Sequence, residues 1–207
     1  MMPSTPGKEP SLFQQRCRDR GLLWLRKNPT AKRPRDYWSP FRNKLADAAH
    51  NLCSYSGMYE PVGTVDHFIP VSKSIEASYD WSNYRFCTGI INSAKGNRVD
   101  ILDPFAIKAG WFEIQLPSLQ LATTEKIPVA LRAKAEATML ALGLRDDETI
   151  LRQRRAWMQL YEEKKITLDG LDVLAPLLAI AIRKATQSSK PKRPKKTRNK
   201  KVGTSQP

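Results

Sequence analysis

The chain has 207 residues, of which 41% are hydrophobic, and its 35 Lys and Arg against 20 Asp and Glu give a net charge of +15. No run reaches the ~18 apolar residues of a transmembrane helix, the opening MMPSTPGKEP has no apolar signal-peptide core, and Cys17, Cys53 and Cys87 are too few and too scattered for a disulfide framework. One compact unit of the reducing cytoplasm is the expectation, without membrane insertion. The positive charge points to a polyanionic partner, nucleic acid ahead of an anionic membrane surface.

In chain order, Leu12, Phe13, Arg16, Cys17 and Arg20 predict a short helix ending at Gly21. Basic residues cluster from Arg16 to Arg35, around Trp24, either as a phosphate-binding surface or as the polar face of a helix. Tyr37, Trp38, Phe41, Leu45, Ala48 and Ala49 share one helical face. His50 follows, either as a C-terminal residue favoured by the helix dipole or as a phosphate contact.

From Cys53 to Pro70 the helical period disappears. Val62 to Asp66 reads as a strand leading into Asp66-His67 and stopped by Pro70. A carboxylate is a hard oxygen ligand suited to Mg²⁺ or Mn²⁺. A neutral imidazole can take a proton from water near pH 7. Tyr84 to Cys87 reads as a return strand, and Ile90 to Gly96 as a helix start on which Asn92 offers a second oxygen ligand. Lys95, one turn on, is placed to meet a phosphate.

Farther on, alternation within Trp111 to Leu121 predicts one or two strands. Three helical stripes follow: Ala130 to Ala141, Ile150 to Tyr161 behind an acidic start at Asp146 and Asp147, and Leu168 to Ile182, started by Thr167 and kinked or split at Pro176. These stripes are core packing, a support without chemistry of its own. The chain ends in a proline-containing stretch with the cations Lys190, Lys192, Arg193, Lys195, Lys196, Arg198, Lys200 and Lys201 and no acid. It is too polar to fold alone. It is read as a disordered tail, either touching nucleic-acid phosphates or merely solvated.

The residues Asp66-His67-Phe68-Ile69-Pro70, Asn83-Tyr84, Cys87 and Asn92-Ser93-Ala94-Lys95-Gly96 resemble the HNH, ββα-metal or His-Me finger, nuclease family in its HNN variant. The family motif is Asp-His-hydrophobic-x-Pro, then Asn-Leu, then Cys-x-x-Cys-(Asn/His)-x-x-Lys-Gly. The resemblance implies a DNA endonuclease whose single site nicks one strand and leaves 5′-phosphate and 3′-hydroxyl ends; RNA is the alternative substrate. It implies His67 as general base, Asp66 and Asn92 as ligands of one Mg²⁺ or Mn²⁺, Asn83 pinning the loop that orients His67, and Lys95 steadying phosphate charge. Many members hold a structural zinc with two Cys-x-x-Cys pairs; here only Cys53 and Cys87 remain, so no structural zinc is expected, and the two thiols should lie close together. Asp66 to Pro70 with Tyr79 to Tyr84 is also similar to small HNH effectors of bacterial antiphage systems of the Zorya or Septu type, which implies partner proteins. The alternative is an inactive nucleic-acid-binding module or adaptor.

The implied fold is α+β, a small ββα-metal core embedded in a mainly helical protein. Its parts are residues 1–52, an N-terminal helical segment; 53–105, the nuclease core; 106–187, strands and helices; and 188–207, the tail.

Overall fold

The computed structural model describes residues 1–188; the eight tail cations from Lys190 to Lys201 lie outside the described residues. The architecture is α+β, mainly helical with two small antiparallel hairpins.

The N-terminal segment begins with a π-helical turn, Gln14–Arg18, that runs straight into helix α1, Asp19–Lys27. Gly21 was expected to stop this helix, yet it lies inside α1. A Cβ there would sit 2.4 Å from ring carbons of Tyr79. The glycine serves a close approach between helix and ring, which no local pattern reveals. The next helix is also shorter than its apolar stripe. Pro40 starts a 3₁₀ turn, Ser39–Phe41, and α2 covers only Arg42–Ala48, leaving Tyr37 and Trp38 outside it. His50 and Asn51, at φ 53° and 55°, end α2, and His50 is exposed.

Strand β1, Thr64–His67, pairs antiparallel with β2, Tyr84–Cys87, with Asp66 opposite Arg85 and His67 opposite Tyr84. β1 starts later than the sequence pattern predicts, because Pro61 and Val62 form a turn and Gly63 lies between it and the strand. Side chains alternate across a strand. Val65, Tyr84 and Phe86 therefore join the apolar cluster of Phe13, Cys17, Phe41, Leu45, Tyr79 and Trp81. Cys87 faces the other way, into a larger core. Helix α3, Gly89–Lys95, packs on that second face; Thr88 caps it by accepting from Ile91 N, and Gly96 ends it at φ 48°.

The second hairpin joins β3, Phe112–Gln115, to β4, Gln120–Thr123. Four helices complete the larger core: α4 (Val129–Ala141), α5 (Glu148–Glu162), α6 (Leu168–Leu174) and α7 (Pro176–Ser188). Asp147 caps α5 and Thr167 caps α6. Pro176 divides the last stripe in two, as the first residue of α7, where its missing N–H costs nothing. Arg154 is buried inside this core; its guanidinium donates to the carbonyls of Leu119 (3.0 Å), Arg145 (3.2 Å) and Leu144 (2.8 Å), and burial lowers its pKa to about 10. Among the described residues no helix is long and apolar enough to cross a membrane.

Gly21→Ala is expected to destabilise the protein. Overpacking against Tyr79 costs up to about 3 kcal/mol, more than the ~1 kcal/mol gained in helix propensity. Urea unfolding should show a lower midpoint; an equal or higher one would mean that the ring moves aside freely.

Candidate functional site

His67 ends β1 with its imidazole on the N-terminal face of the hairpin. The rings of Trp38 and Tyr84 meet it nearly perpendicularly, at centroid distances of 4.7 and 5.2 Å. Its Nε2 lies 3.2 Å from the carbonyl oxygen of Ser78. A carbonyl only accepts, so in this hydrogen bond Nε2 carries the proton and the neutral ring keeps its lone pair on Nδ1. Burial disfavours the imidazolium and holds the pKa below the usual 6.5, against the opposing effects of the Ser78 carbonyl and the Asp66 charge. The ring is therefore neutral at pH 7, in the state a general base requires.

Asn83 fixes the chain that leaves β1. Its Oδ1 accepts from Ile69 N at 2.7 Å, while Nδ2 donates to Ile69 O at 3.1 Å and Ala77 O at 2.9 Å. Its carbonyl also accepts from Phe68 N at 2.9 Å. These bonds tie the strand end to the 3₁₀ turn Glu76–Tyr79, which presents the Ser78 carbonyl to His67. Tyr84 donates its hydroxyl to the same carbonyl at 2.7 Å. Asn83 is a positioning residue that acts on the imidazole through Ser78.

On the opposite face Asp66 is only 2% exposed. Its Oδ1 accepts from Lys95 Nζ at 2.9 Å and its Oδ2 from the Tyr55 hydroxyl at 2.6 Å. Lys95 Nζ also donates to the His67 carbonyl at 2.9 Å. Lys95 was expected on phosphate. The structure turns it inward instead, with a side chain of 0% exposure, because a carboxylate stripped of water needs a countercharge. Burial and the neighbouring Asp66 push the Tyr55 hydroxyl well above its usual pKa, so it stays protonated and donates. Asn92 lies one turn before Lys95 on the same side of α3, and its Nδ2 approaches Val65 O at 3.4 Å. Asp66 and Lys95 thus meet between β1 and α3, with Asn92 on the same side of the helix and bonded to the backbone of the residue before Asp66, whereas His67 lies across the hairpin from them.

A hard divalent cation takes oxygen ligands. The Asp66 carboxylate and the Asn92 amide are such donors on facing elements, and the buried carboxylate already attracts a cation, here the Lys95 ammonium. By donor type the pair fits Mg²⁺ or Mn²⁺, but both Asp66 oxygens are taken, by Lys95 and Tyr55, so a cation would have to displace the ammonium. Among the described residues no three His, Cys, Asp or Glu side chains converge on one point. The chain would thus supply few ligands, and water or phosphate oxygens the rest, a common arrangement for Mg²⁺.

Cys53 and Cys87 are both buried in the larger core, and Ser56 N donates to Cys53 Sγ at 3.4 Å. At the positions where a Cys-x-x-Cys pattern would put its second thiols stand Ser56, whose hydroxyl accepts from Met58 N, and Ile90, 59% exposed. Burial pushes the Cys87 thiol well above its ordinary pKa and that of Cys17 to about 11.

Sequence reasoning did not single out Ser78 or Tyr55, and it read Trp38 only as a helix-stripe residue. Their roles depend on contacts across the fold. The expected role of Asn83 in pinning the loop that orients His67 was the one hint that this loop bears on the imidazole.

Lys95→Met leaves Asp66 without its countercharge and should cost about 3–5 kcal/mol. Combining it with Asp66→Asn should recover most of that loss. A denaturation double-mutant cycle checks this; strictly additive effects would show that the pair is not coupled. Comparison with protein-family models, with curated proteins and with solved structures returns no match for this chain.

Proposed function

We propose that the chain is a metal-dependent endonuclease of the HNH type acting on DNA, with β1, β2 and α3 as its ββα-metal core. The observation that carries this reading is the pairing of two groups at one strand end: a neutral imidazole held by a backbone carbonyl, and next to it a buried carboxylate on the side of β1 where Asn92 of α3 bonds to Val65. In phosphoryl transfer the attacking and leaving oxygens lie roughly in line on opposite sides of phosphorus. His67 from one face and the oxygens of Asp66 and Asn92 from the other must then reach one phosphate around the end of β1, where residues 66 and 67 are neighbours.

His67 Nδ1 takes a proton from water while the water oxygen bonds to phosphorus. The bond from phosphorus to the 3′ oxygen breaks, and that oxygen gains a proton from solvent, leaving 5′-phosphate and 3′-hydroxyl ends. Ser78 and Asn83 keep Nδ1 aimed. A divalent cation held by Asp66 and Asn92 would supply Lewis-acid stabilisation of the developing charge. The tail cations from Lys190 to Lys201 would add phosphate contacts that carry no sequence information. One such site cuts one strand, so a single chain nicks. Tyr79 to Tyr84 supports the narrower role of a small effector in antiphage defence.

One observation favours a second reading. Lys95 already neutralises Asp66, as expected of a nucleic-acid-binding module that no longer uses a metal.

Supercoiled plasmid separates the two. With Mg²⁺ or Mn²⁺ the wild-type protein should produce nicked circles, EDTA should stop it, and His67→Ala should slow it about 10²–10⁴-fold. Plasmid retarded in the gel but never nicked would support the binding module and overturn the enzyme.

A further inference from the structure

From Arg16 to Arg35 the chain carries eight cations and one carboxylate, Asp19. Arg18 is paired with Glu9 and Asp80. Arg16, Arg20, Arg26, Lys32, Arg33 and Arg35 are exposed, and none makes an ion pair among the described residues. The C-terminal half is different: Arg145, Arg155, Lys165 and Arg183 each pair with a carboxylate. Seven of the eight cations from Arg16 to Arg35 are thus without an ion pair among the described residues, in the segment that packs on the His67 side of the hairpin.

Aromatic rings link that charge to the imidazole. Trp38 abuts His67, and both Trp38 and Tyr37 lean on Tyr79, at 6.0 and 6.3 Å. The guanidinium groups of Arg20 and Arg35 lie 4.8 and 5.6 Å from the Tyr37 ring centre. Tyr79 donates its hydroxyl to the Arg35 carbonyl at 2.9 Å, which locks this segment to the loop carrying Ser78. Tyr37 and Trp38 are both half-buried, and a cavity of about 400 Å³ opens beside Tyr37, lined by Arg16, Arg20 and Asp36 and by the apolar Leu12, Pro40 and Phe41. Asp36, the acid of this surface, accepts from the backbone N–H groups of Trp38 and Ser39 and so holds the two rings in place.

Within a duplex both faces of each base are covered by its neighbours. Only an unpaired base can offer a face to an aromatic ring, and cationic grooves with such rings bind single strands. We propose that Tyr37 and Trp38, flanked by Arg20 and Arg35, bind unpaired nucleotides, so that the substrate class of the His67 site is single-stranded nucleic acid or an unpaired stretch of a duplex. This rests on the nuclease reading of His67 and adds to it the form of the substrate. The arginines turn from the Tyr37 ring to the adjoining phosphates, the rings stack on bases, and the strand runs past the imidazole.

The test measures binding without cleavage. The full chain carrying His67→Ala is titrated in EDTA against a labelled oligothymidine and, separately, a hairpin duplex of equal length, by fluorescence anisotropy. The single strand should bind more tightly. Trp38→Ala should weaken single-strand binding about tenfold and duplex binding less than about twofold. Trp38→Phe, which keeps a ring, should restore most of the affinity. Arg20→Gln with Arg35→Gln should reduce the salt slope for the single strand by about one to two. Thermal melts identify any variant that is unfolded, and the Phe variant and the arginine pair then decide. Equal loss on strand and duplex, or no loss on either, overturns the proposal. Because metal and base are absent, this outcome is independent of plasmid nicking, and the two readings can fail separately.

Discussion

A carboxylate removed from water must be neutralised where it stands, and at Asp66 this task falls to the ammonium of Lys95. The penalty for leaving such a charge unpaired, several kcal/mol, is comparable with much of the 5–15 kcal/mol that holds an ordinary domain together. The pair therefore fixes more than two side chains. Lys95 is the last residue of α3, so its bond to Asp66 sets how that helix lies on β1. Asn92, one turn earlier, is turned toward the same strand. Tyr55, from the loop before β1, closes the remaining carboxylate oxygen.

Four residues of strand then separate two environments. The alternation that sends Asp66 toward α3 sends His67 toward Trp38, Tyr84 and Ser78. Each face of the hairpin has its own apolar cluster, the smaller from the N-terminal segment and the larger mostly from the C-terminal half. Residues 1–52 are thus one wall of the imidazole's surroundings, and Tyr55 and Lys95 close over the carboxylate on the other side. In the proposed enzyme the base and the cation ligands depend on different parts of the chain. A substitution in either core would reach the chemistry through the strand.

What the sequence revealed was mostly local. The return strand Tyr84–Cys87, the caps Asp147 and Thr167 and the break at Pro176 depend on period or on one residue's own backbone chemistry. The failures share a cause as well. Gly21 reads as a stop because its contact, Tyr79, lies far along the chain. Lys95 reads as a phosphate ligand because its burial depends on how α3 docks. Trp38 reads as one more residue of a helical stripe, but Pro40 starts the helix after it and leaves it beside His67. Residue order could name the members of the candidate site; their orientation needed the whole fold.

The proposed enzyme needs a divalent cation on the carboxylate face of the hairpin and the attacking water on the imidazole face. Crystals grown with Mn²⁺ and measured at the manganese absorption edge locate that cation. An anomalous peak is expected bonded to the carboxylate of Asp66 and the amide oxygen of Asn92, with the Lys95 ammonium moved off the carboxylate. Manganese bound elsewhere or not at all, with the ion pair intact in protein that still nicks DNA, would contradict this placement.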